Sequence, residues 1–210
     1  LPKDIQQGAA SFDDGKIYVA GGFGTEGPNR DVLRYDMSQE DWDIVASLPQ
    51  ALVQPVMTVH GGIIYIWGGY DPETRKSVTC GFRFEDGAWS EIPGAPDGGT
   101  MVGSASVKDG DFLYITGGVN NEIFDHALTL GPEETAVYQS QPVEYYRFRE
   151  KVFRFDLKSE TWSDAGTWHD SARAGASLIL KDGHLISMGG EIKACVRDPR
   201  SFSFKPDPGQ

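Results

Sequence analysis

Sulfur, histidine and basic charge are all scarce in this sequence, and each scarcity removes a class of function. Only two cysteines occur, Cys80 and Cys195, and no Cys-x-x-Cys pattern joins them. Two thiols without metal-ligand spacing predict ordinary semi-buried side chains and neither a zinc site nor a disulfide framework. The four histidines, His60, His126, His169 and His184, are scattered, so no metal site is expected from them. Nineteen Lys and Arg stand against 31 Asp and Glu, a formal net charge of -12. Phosphate binding needs clustered Lys and Arg, so this balance argues against nucleic acid as a partner. It argues equally against adhesion to an anionic membrane surface. A small anionic ligand stays compatible, because one or two well-placed arginines suffice for it. No stretch approaches the ~20 apolar residues of a membrane-spanning helix. The opening Leu1-Pro2-Lys3-Asp4 has none of the features of a signal peptide, so composition does not assign a compartment. A Gly-x-Ser-x-Gly elbow, a phosphate-binding glycine loop and a His-Glu-x-x-His helix are also missing.

What the sequence has in quantity is glycine, 26 residues, and aromatics, 11% of the chain including five Trp. Many turns with regularly placed aromatic residues predict an all-β repeat protein. The repeat is explicit. A short apolar run ending in Gly-Gly occurs four times: Ile17–Gly22, Ile64–Gly69, Leu113–Gly118 and Leu185–Gly190. The first two intervals are 47 and 49 residues, near the kelch period of about 50; the third is 72. Trp42 and Trp89 each lie 20 residues past a Gly-Gly, whereas Trp162 lies 44 past its own. An aromatic stands seven residues before each Trp, at Tyr35, Phe82 and Phe155. The polar stretches 36–41 and 156–161 read as hairpin turns between outer strands, with the Trp packing between blades.

These landmarks predict an all-β, kelch-type β-propeller with about four blades. The expected blades are about 5–50, 51–96, 97–166 and an incomplete 167–210, within one propeller domain. The third carries an insertion at 120–146 between its second and third strands. That insertion holds Pro132, Pro142 and an aromatic cluster of Tyr138, Tyr145, Tyr146 and Phe148, with a helical turn expected over 132–137. Insertions of this kind in propellers often cover a face or line a pocket. The fourth repeat has Phe202 and Phe204 but no closing Trp. Blades one and four are therefore expected to expose apolar residues near Ile5 and Phe204, and open blade edges to favour self-association. The repeated Gly, Tyr and Trp residues are read as scaffold. Chemistry is sought instead in Gly189-Gly190-Glu191-Ile192-Lys193-Ala194-Cys195-Val196-Arg197, just past a repeated strand end. Glu191 can exchange a proton, and Arg197 can hold a carboxylate in bidentate geometry. The same pair is also compatible with a surface salt bridge.

Several of these segments together resemble a known family. Gly117-Gly118-Val119-Asn120, followed by Ile123-Phe124, opens the insertion; Glu144-Tyr145-Tyr146 through Val152-Phe153-Arg154-Phe155-Asp156 closes it, with Trp162 after. Ala174-Gly175-Ala176 and the Glu191–Arg197 segment follow. In this order and spacing the chain resembles the bacterial sialic acid mutarotases, the N-acetylneuraminate epimerases of the cyclically permuted mutarotase family. The resemblance implies a six-bladed kelch propeller, of which about four repeats are present here. It implies an isomerase that interconverts the α and β anomers of N-acetylneuraminate by acid/base ring opening and closure. Glu191 and Arg197 match the family's proposed catalytic pair. Arg197, Asn120, Phe124 and Lys193 are the expected substrate contacts. The resemblance implies no metal, nucleotide or redox cofactor, and a periplasmic setting. The alternative is a non-catalytic kelch propeller that binds protein or carbohydrate.

Overall fold

In the computed structural model, residues 1–207 are described; the last three residues of the expected fourth blade lie outside that range. The chain is a β-propeller of four blades, whose described elements are strands but for two α-helices and two 3-10 turns. The first blade pairs β1 (Ala9–Asp13), β2 (Lys16–Ala20), β5 (Asp31–Asp36) and β6 (Asp41–Ser47) as an antiparallel meander. A small hairpin, β3 (Phe23–Gly24) and β4 (Gly27–Pro28), joins its second and third strands. The second blade repeats this with β7 (Val56–His60), β8 (Ile63–Trp67), β11 (Gly81–Glu85) and β12 (Ala88–Ile92). Its hairpin is β9 (Tyr70–Asp71) with β10 (Lys76–Ser77). The third blade is β13 (Ser104–Asp109), β14 (Phe112–Gly117), β15 (Lys151–Asp156) and β16 (Thr161–Thr167). Here the hairpin is replaced by α1 (Asn121–Ala127), α2 (Pro132–Ser140) and a 3-10 turn over Val143–Tyr146. The fourth blade has β17 (Ser177–Lys181), β18 (His184–Met188) and β21 (Ser201–Phe204), with the hairpin β19 (Glu191–Lys193) and β20 (Val196–Arg197). Among the described residues its sheet has three strands.

Two compact units divide the chain. The first is residues 1–94 with 100–102 and holds blades one and two; the second is residues 95–99 with the chain from 103 and holds blades three and four. Each unit has its own core, lying where two blades face each other. In the first, Tyr18, Ala20 and Val32 meet Met57, Val59, Ile64 and Ile66. In the second, Tyr114, Val152 and Ala165 meet Leu178 and Leu185. Burying such side chains contributes roughly 1.5–3 kcal/mol each.

The Gly-Gly pairs of the first two blades, and Gly117 of the third, are built for close approach. Gly117 has φ +69, and a Cβ there would stand 2.5 Å from the Arg173 carbonyl and 2.8 Å from that of Ser171. No side chain fits, and the left-handed backbone itself disfavours one.

Trp42, Trp89 and Trp162 each meet an aromatic ring at a tilt across their own outer hairpins. Tyr35 faces Trp42 at 5.1 Å between ring centres, and Phe155 faces Trp162 at 4.8 Å. In the second blade the ring partner is Phe84, at 5.0 Å, although Phe82 holds the seven-residue spacing of Tyr35 and Phe155. The reason is turn length. Four residues separate β5 from β6, and β15 from β16, with Asp36 and Asp156 accepting backbone hydrogen bonds inside the turn. Only Asp86 and Gly87, both at positive φ, separate β11 from β12. The pair shifts by two residues, and Phe82 joins the core instead. The Trp89 indole N–H donates to Ser47 O at 2.8 Å, tying blade two to the last strand of blade one. In the fourth blade Phe204 is half-buried and stacks on Trp168 at 5.3 Å, so it is not the open apolar residue the sequence suggests.

Candidate functional site

The residue after each Gly-Gly occupies the same place in three blades. Phe23 forms a two-bond antiparallel bridge with Gln6, Tyr70 with Val53, and Glu191 with Ala174. For Glu191 the bonds are Glu191 N–H to Ala174 O at 2.7 Å and Ala174 N–H to Glu191 O at 2.9 Å. Across the small hairpin the partners are equally matched: Phe23 faces Pro28, Tyr70 faces Ser77, and Glu191 faces Arg197. Each hairpin closes by one backbone bond to the second glycine: Asn29 N–H to Gly22 O, Val78 N–H to Gly69 O, and Asp198 N–H to Gly190 O, each 2.9 Å. The backbone is thus one frame used three times, and in the fourth blade it carries an acid and a base.

Glu191 is half-buried, with its side chain 32% exposed, while that of Arg197 is 80% exposed. Arg197 Nε lies 3.6 Å from Glu191 Oε1, an ion pair but too long for a hydrogen bond. Such an exposed pair contributes roughly 0–1 kcal/mol, so little holds Arg197 back from a better anion. The hairpin turns over Ala194 and Cys195, and Cys195 sits at φ +62.

A braced corner lies behind this hairpin. Arg173, only 4% exposed, donates from Nη1 to Gly189 O at 3.0 Å and from Nη2 to Asp198 Oδ2 at 2.7 Å. Arg200 joins Asp198 from the exposed side at 2.6 Å, and the Arg173 guanidinium lies 4.4 Å from the centre of the Phe202 ring. The hydrogen bonds from Arg200, side chain and backbone, and the charge of Arg173 hold the Asp198 carboxyl well below the usual carboxylate range. Sequence reading singled out none of these three. The available signal is Asp198 itself, a short acceptor directly after Arg197 at the position where the first blade has Asn29.

The insertion supplies the other wall. Asn120 caps α1, its Oδ1 accepting from Ile123 N–H at 3.2 Å, so the structure uses this expected substrate contact as a helix cap. Phe124 lies half-buried on α1. Pro132 starts α2, and Glu134 reaches back to Gly131 N–H at 3.0 Å. The helical turn expected over 132–137 is therefore a helix to Ser140. Tyr138, Tyr145 and Tyr146 meet edge to face, with ring centres 5.1–6.2 Å apart. Tyr146, 1% exposed, donates its hydroxyl to Tyr138 O at 2.5 Å. Burial pushes the Tyr138 phenol up to about 12, with smaller contributions from Tyr146, Tyr145 and the Glu191 carboxylate. Lys193, an expected substrate contact, donates instead to the Gln141 carbonyl at the end of α2, at 2.8 Å. Of the four expected substrate contacts, only Arg197 stands beside Glu191 with its head group in solvent. A recess of ≈ 500 Å³ is lined by Ile192 of the hairpin with Phe148, Arg147, His169, Arg173 and Arg200 among others.

Comparison with known proteins agrees with this frame. The family model for N-acetylneuraminate epimerase matches residues 1–205. An N-acetylneuraminate epimerase of Pasteurella multocida strain Pm70 is 28% identical over 215 residues, 95% of this chain and 56% of that protein. N-acetylneuraminate epimerase 1 of Escherichia coli O6:H1 is 26% identical over 219 residues, 97% of this chain and 58% of its own length. The chain thus spans little more than half the length of these curated relatives. The solved structure of YjhT superposes with a TM-score of 0.79 at 22% identity, over 99% of this chain and 68% of that one, a likeness of fold.

Proposed function

Because the chain belongs to the N-acetylneuraminate epimerase family, we propose that it takes part in interconverting the α and β anomers of N-acetylneuraminate, with Glu191 and Arg197 as the reacting pair. The observation that carries the reading is the substitution of an acid–base pair into a frame that holds Phe23 and Pro28 in the first blade and Tyr70 and Ser77 in the second. A scaffold needs no charge there; proton transfer at a sugar acid does.

The chemistry follows from the anomeric carbon, which carries the hydroxyl, the ring oxygen and the carboxylate. Opening the ring moves a proton off the anomeric hydroxyl and another onto the ring oxygen as the carbon–oxygen bond breaks. The open-chain ketone then recloses on its opposite face with the roles reversed. Glu191 serves as the acid/base. Its backbone N–H and carbonyl are both bonded to Ala174. Arg197 takes the sugar carboxylate in a bidentate grip, which anchors the reacting carbon directly. Proton exchange and carboxylate capture are supplied here by side chains alone. The reading extends to a periplasmic setting. It also includes self-association through blade edges that expose Phe12 and Ile44 in the first unit and Ile179 in the second.

Anomer exchange measured by NMR on N-acetylneuraminate, with and without the protein, tests the reading. Exchange above the spontaneous rate is expected. Glu191→Gln should lower the maximal rate by roughly 10²–10⁴-fold while substrate capture stays close to wild type. Arg197→Lys should weaken capture, because a point charge does not copy the guanidinium fork. Unchanged exchange in Glu191→Gln removes this residue from the mechanism. A protein that binds the sugar acid without exchanging its anomers favours a binding propeller.

A further inference from the structure

We propose that Lys193 is a positioning residue, which fastens the hairpin bearing Glu191 and Arg197 to the C-terminal end of α2, so that the insertion sets where the acid/base stands. Its catalytic consequence rests on the epimerase reading; the fastening itself does not.

Three observations converge on it. First, Lys193 lies on β19 two residues after Glu191, and its ammonium donates to Gln141 O at 2.8 Å, across 52 residues of chain. Gln141 is the residue that caps α2. The end of a helix gathers unpaired carbonyls and the negative pole of the backbone dipoles, so a cation placed there is favoured on both counts. The last turn of α2 has no basic residue of its own. Second, that end is held rigidly. Ser140 Oγ and Gln141 Nε2 donate to Val137 O, and the Gln141 N–H and the Tyr146 hydroxyl donate to Tyr138 O. The lysine therefore grips a fixed point. Third, the backbone of the hairpin is irregular where the grip acts. The register shifts between Glu191 and Lys193, and the turn places Cys195 at φ +62, a conformation unfavourable for a residue with a side chain. The cross-strand pair that remains, Glu191 with Arg197, is exposed and weak. A strained two-residue turn with a loose ion pair needs an outside hold, and Lys193 gives it one.

This assignment also explains why the lysine that ends β19 is not free for the sugar. Its head group is already spent on a backbone carbonyl, leaving Arg197 as the cation of the hairpin that faces solvent.

Hydrogen exchange of the chain, read by mass spectrometry, tests the fastening with Lys193→Met and Lys193→Arg. Met keeps the apolar stem and removes the charge. Faster exchange is expected in both 141–146 and 191–197 in Lys193→Met, and recovery of both in Lys193→Arg, with the thermal midpoint of each variant within a few degrees of wild type. Unchanged exchange, or a change confined to the hairpin, overturns the proposal. Kinetics then separate positioning from contact. Anomer exchange by Lys193→Met should lose roughly 10–100-fold in kcat, the scale of a reacting group misplaced by about 1 Å, with KM within twofold. A rise in KM with kcat intact makes Lys193 a sugar ligand and overturns it too. If the wild-type chain shows no anomer exchange while both segments loosen together in Lys193→Met, the epimerase reading fails and the fastening stands.

Discussion

The small hairpins of the first and fourth blades share a backbone and differ in everything attached to it. Both follow a Gly-Gly, both are bridged to the segment entering their own blade, and both close on the second glycine with a 2.9 Å hydrogen bond. In the first, Phe23 faces Pro28 and Asn29 caps the hairpin, its Nδ2 donating to Gly21 O at 3.1 Å. In the fourth, Glu191 faces Arg197, and the capping position is Asp198, which cannot donate to Gly189 O. Arg173, on the segment entering the blade, does that work and takes Asp198 as its counterion. The fourth-blade hairpin thus has a buried Arg173–Asp198 ion pair behind it where the first has the Asn29 amide. The lesson is that the scaffold and the chemistry are separable at this position, and each can be broken without the other.

The largest effect should come from the glycines. Gly117 and Gly189 both have φ near +68, but a Cβ on Gly117 would collide with the Arg173 and Ser171 carbonyls, while the nearest atom to a Cβ on Gly189 is Asp198 O at 4.0 Å. Gly117→Ala should cost about 3–5 kcal/mol, since neither carbonyl is a flexible end. Gly189→Ala should cost about 1–2 kcal/mol, the left-handed strain alone. Denaturant midpoints of the two variants measure the difference. Equal losses would mean that positive φ, and not blade-to-blade contact, selects the first glycine.

Next come the two caps. Arg173→Met strands Gly189 O and leaves Asp198 with one cation, and should cost about 3 kcal/mol, as expected for breaking a buried pair. Asn29→Ala should cost about 1–2 kcal/mol for an unpaired Gly21 carbonyl. The pH dependence has a definite sign. Asp198 titrates lower in the folded chain than unfolded, so its stabilisation is complete above the unfolded value of about 3.9 and is lost as pH falls through the folded one. Thermal midpoints of wild type and Arg173→Met should stay a constant distance apart from pH 7 to 5 and draw closer in strong acid, leaving the part due to the unpaired Gly189 carbonyl. A gap that stays the same down into strong acid would show that the cluster is not ionic.

Much of the blade frame was legible because it repeats: four Gly-Gly strand ends, three Trp, and an insertion whose place and helical tendency followed from Pro132 and the stretched spacing. Turn length in blade two was not, since polar turns stood out only at 36–41 and 156–161; the structure shows the shorter Asp86-Gly87 turn and brings Phe84, not Phe82, against Trp89. Glu191 and Arg197 stood out as charged residues just past a strand end, and the structure brings them together. Lys193 and Asn120 were legible as residues but not as roles, because their partners are a backbone carbonyl and a backbone N–H, groups that every residue possesses. Arg173 with Asp198 was hidden by distance: 25 residues separate two charges that only the fold makes neighbours.

The smallest expected effect on stability is the sharpest test of the comparison. If the fourth-blade hairpin is the first-blade hairpin with its side chains exchanged, then replacing Glu191 by an apolar residue should return it toward the form that Phe23 occupies. Both backbone bridge bonds to Ala174 remain, since they involve no side chain. The ion pair removed is 3.6 Å long with its Arg partner 80% exposed, so the loss is within about 0.5 kcal/mol, and modest burial of a leucine in a half-buried place offsets it. Glu191→Leu should therefore unfold at the wild-type denaturant midpoint and keep the circular dichroism of the parent chain, while losing any anomer exchange that the parent shows. A structural acid would behave in the opposite way: its removal would leave Arg197 uncompensated against fixed neighbours and lower the midpoint measurably. Equal stability with abolished exchange would mean that the frame gains nothing from the charge and that the charge is there for the substrate.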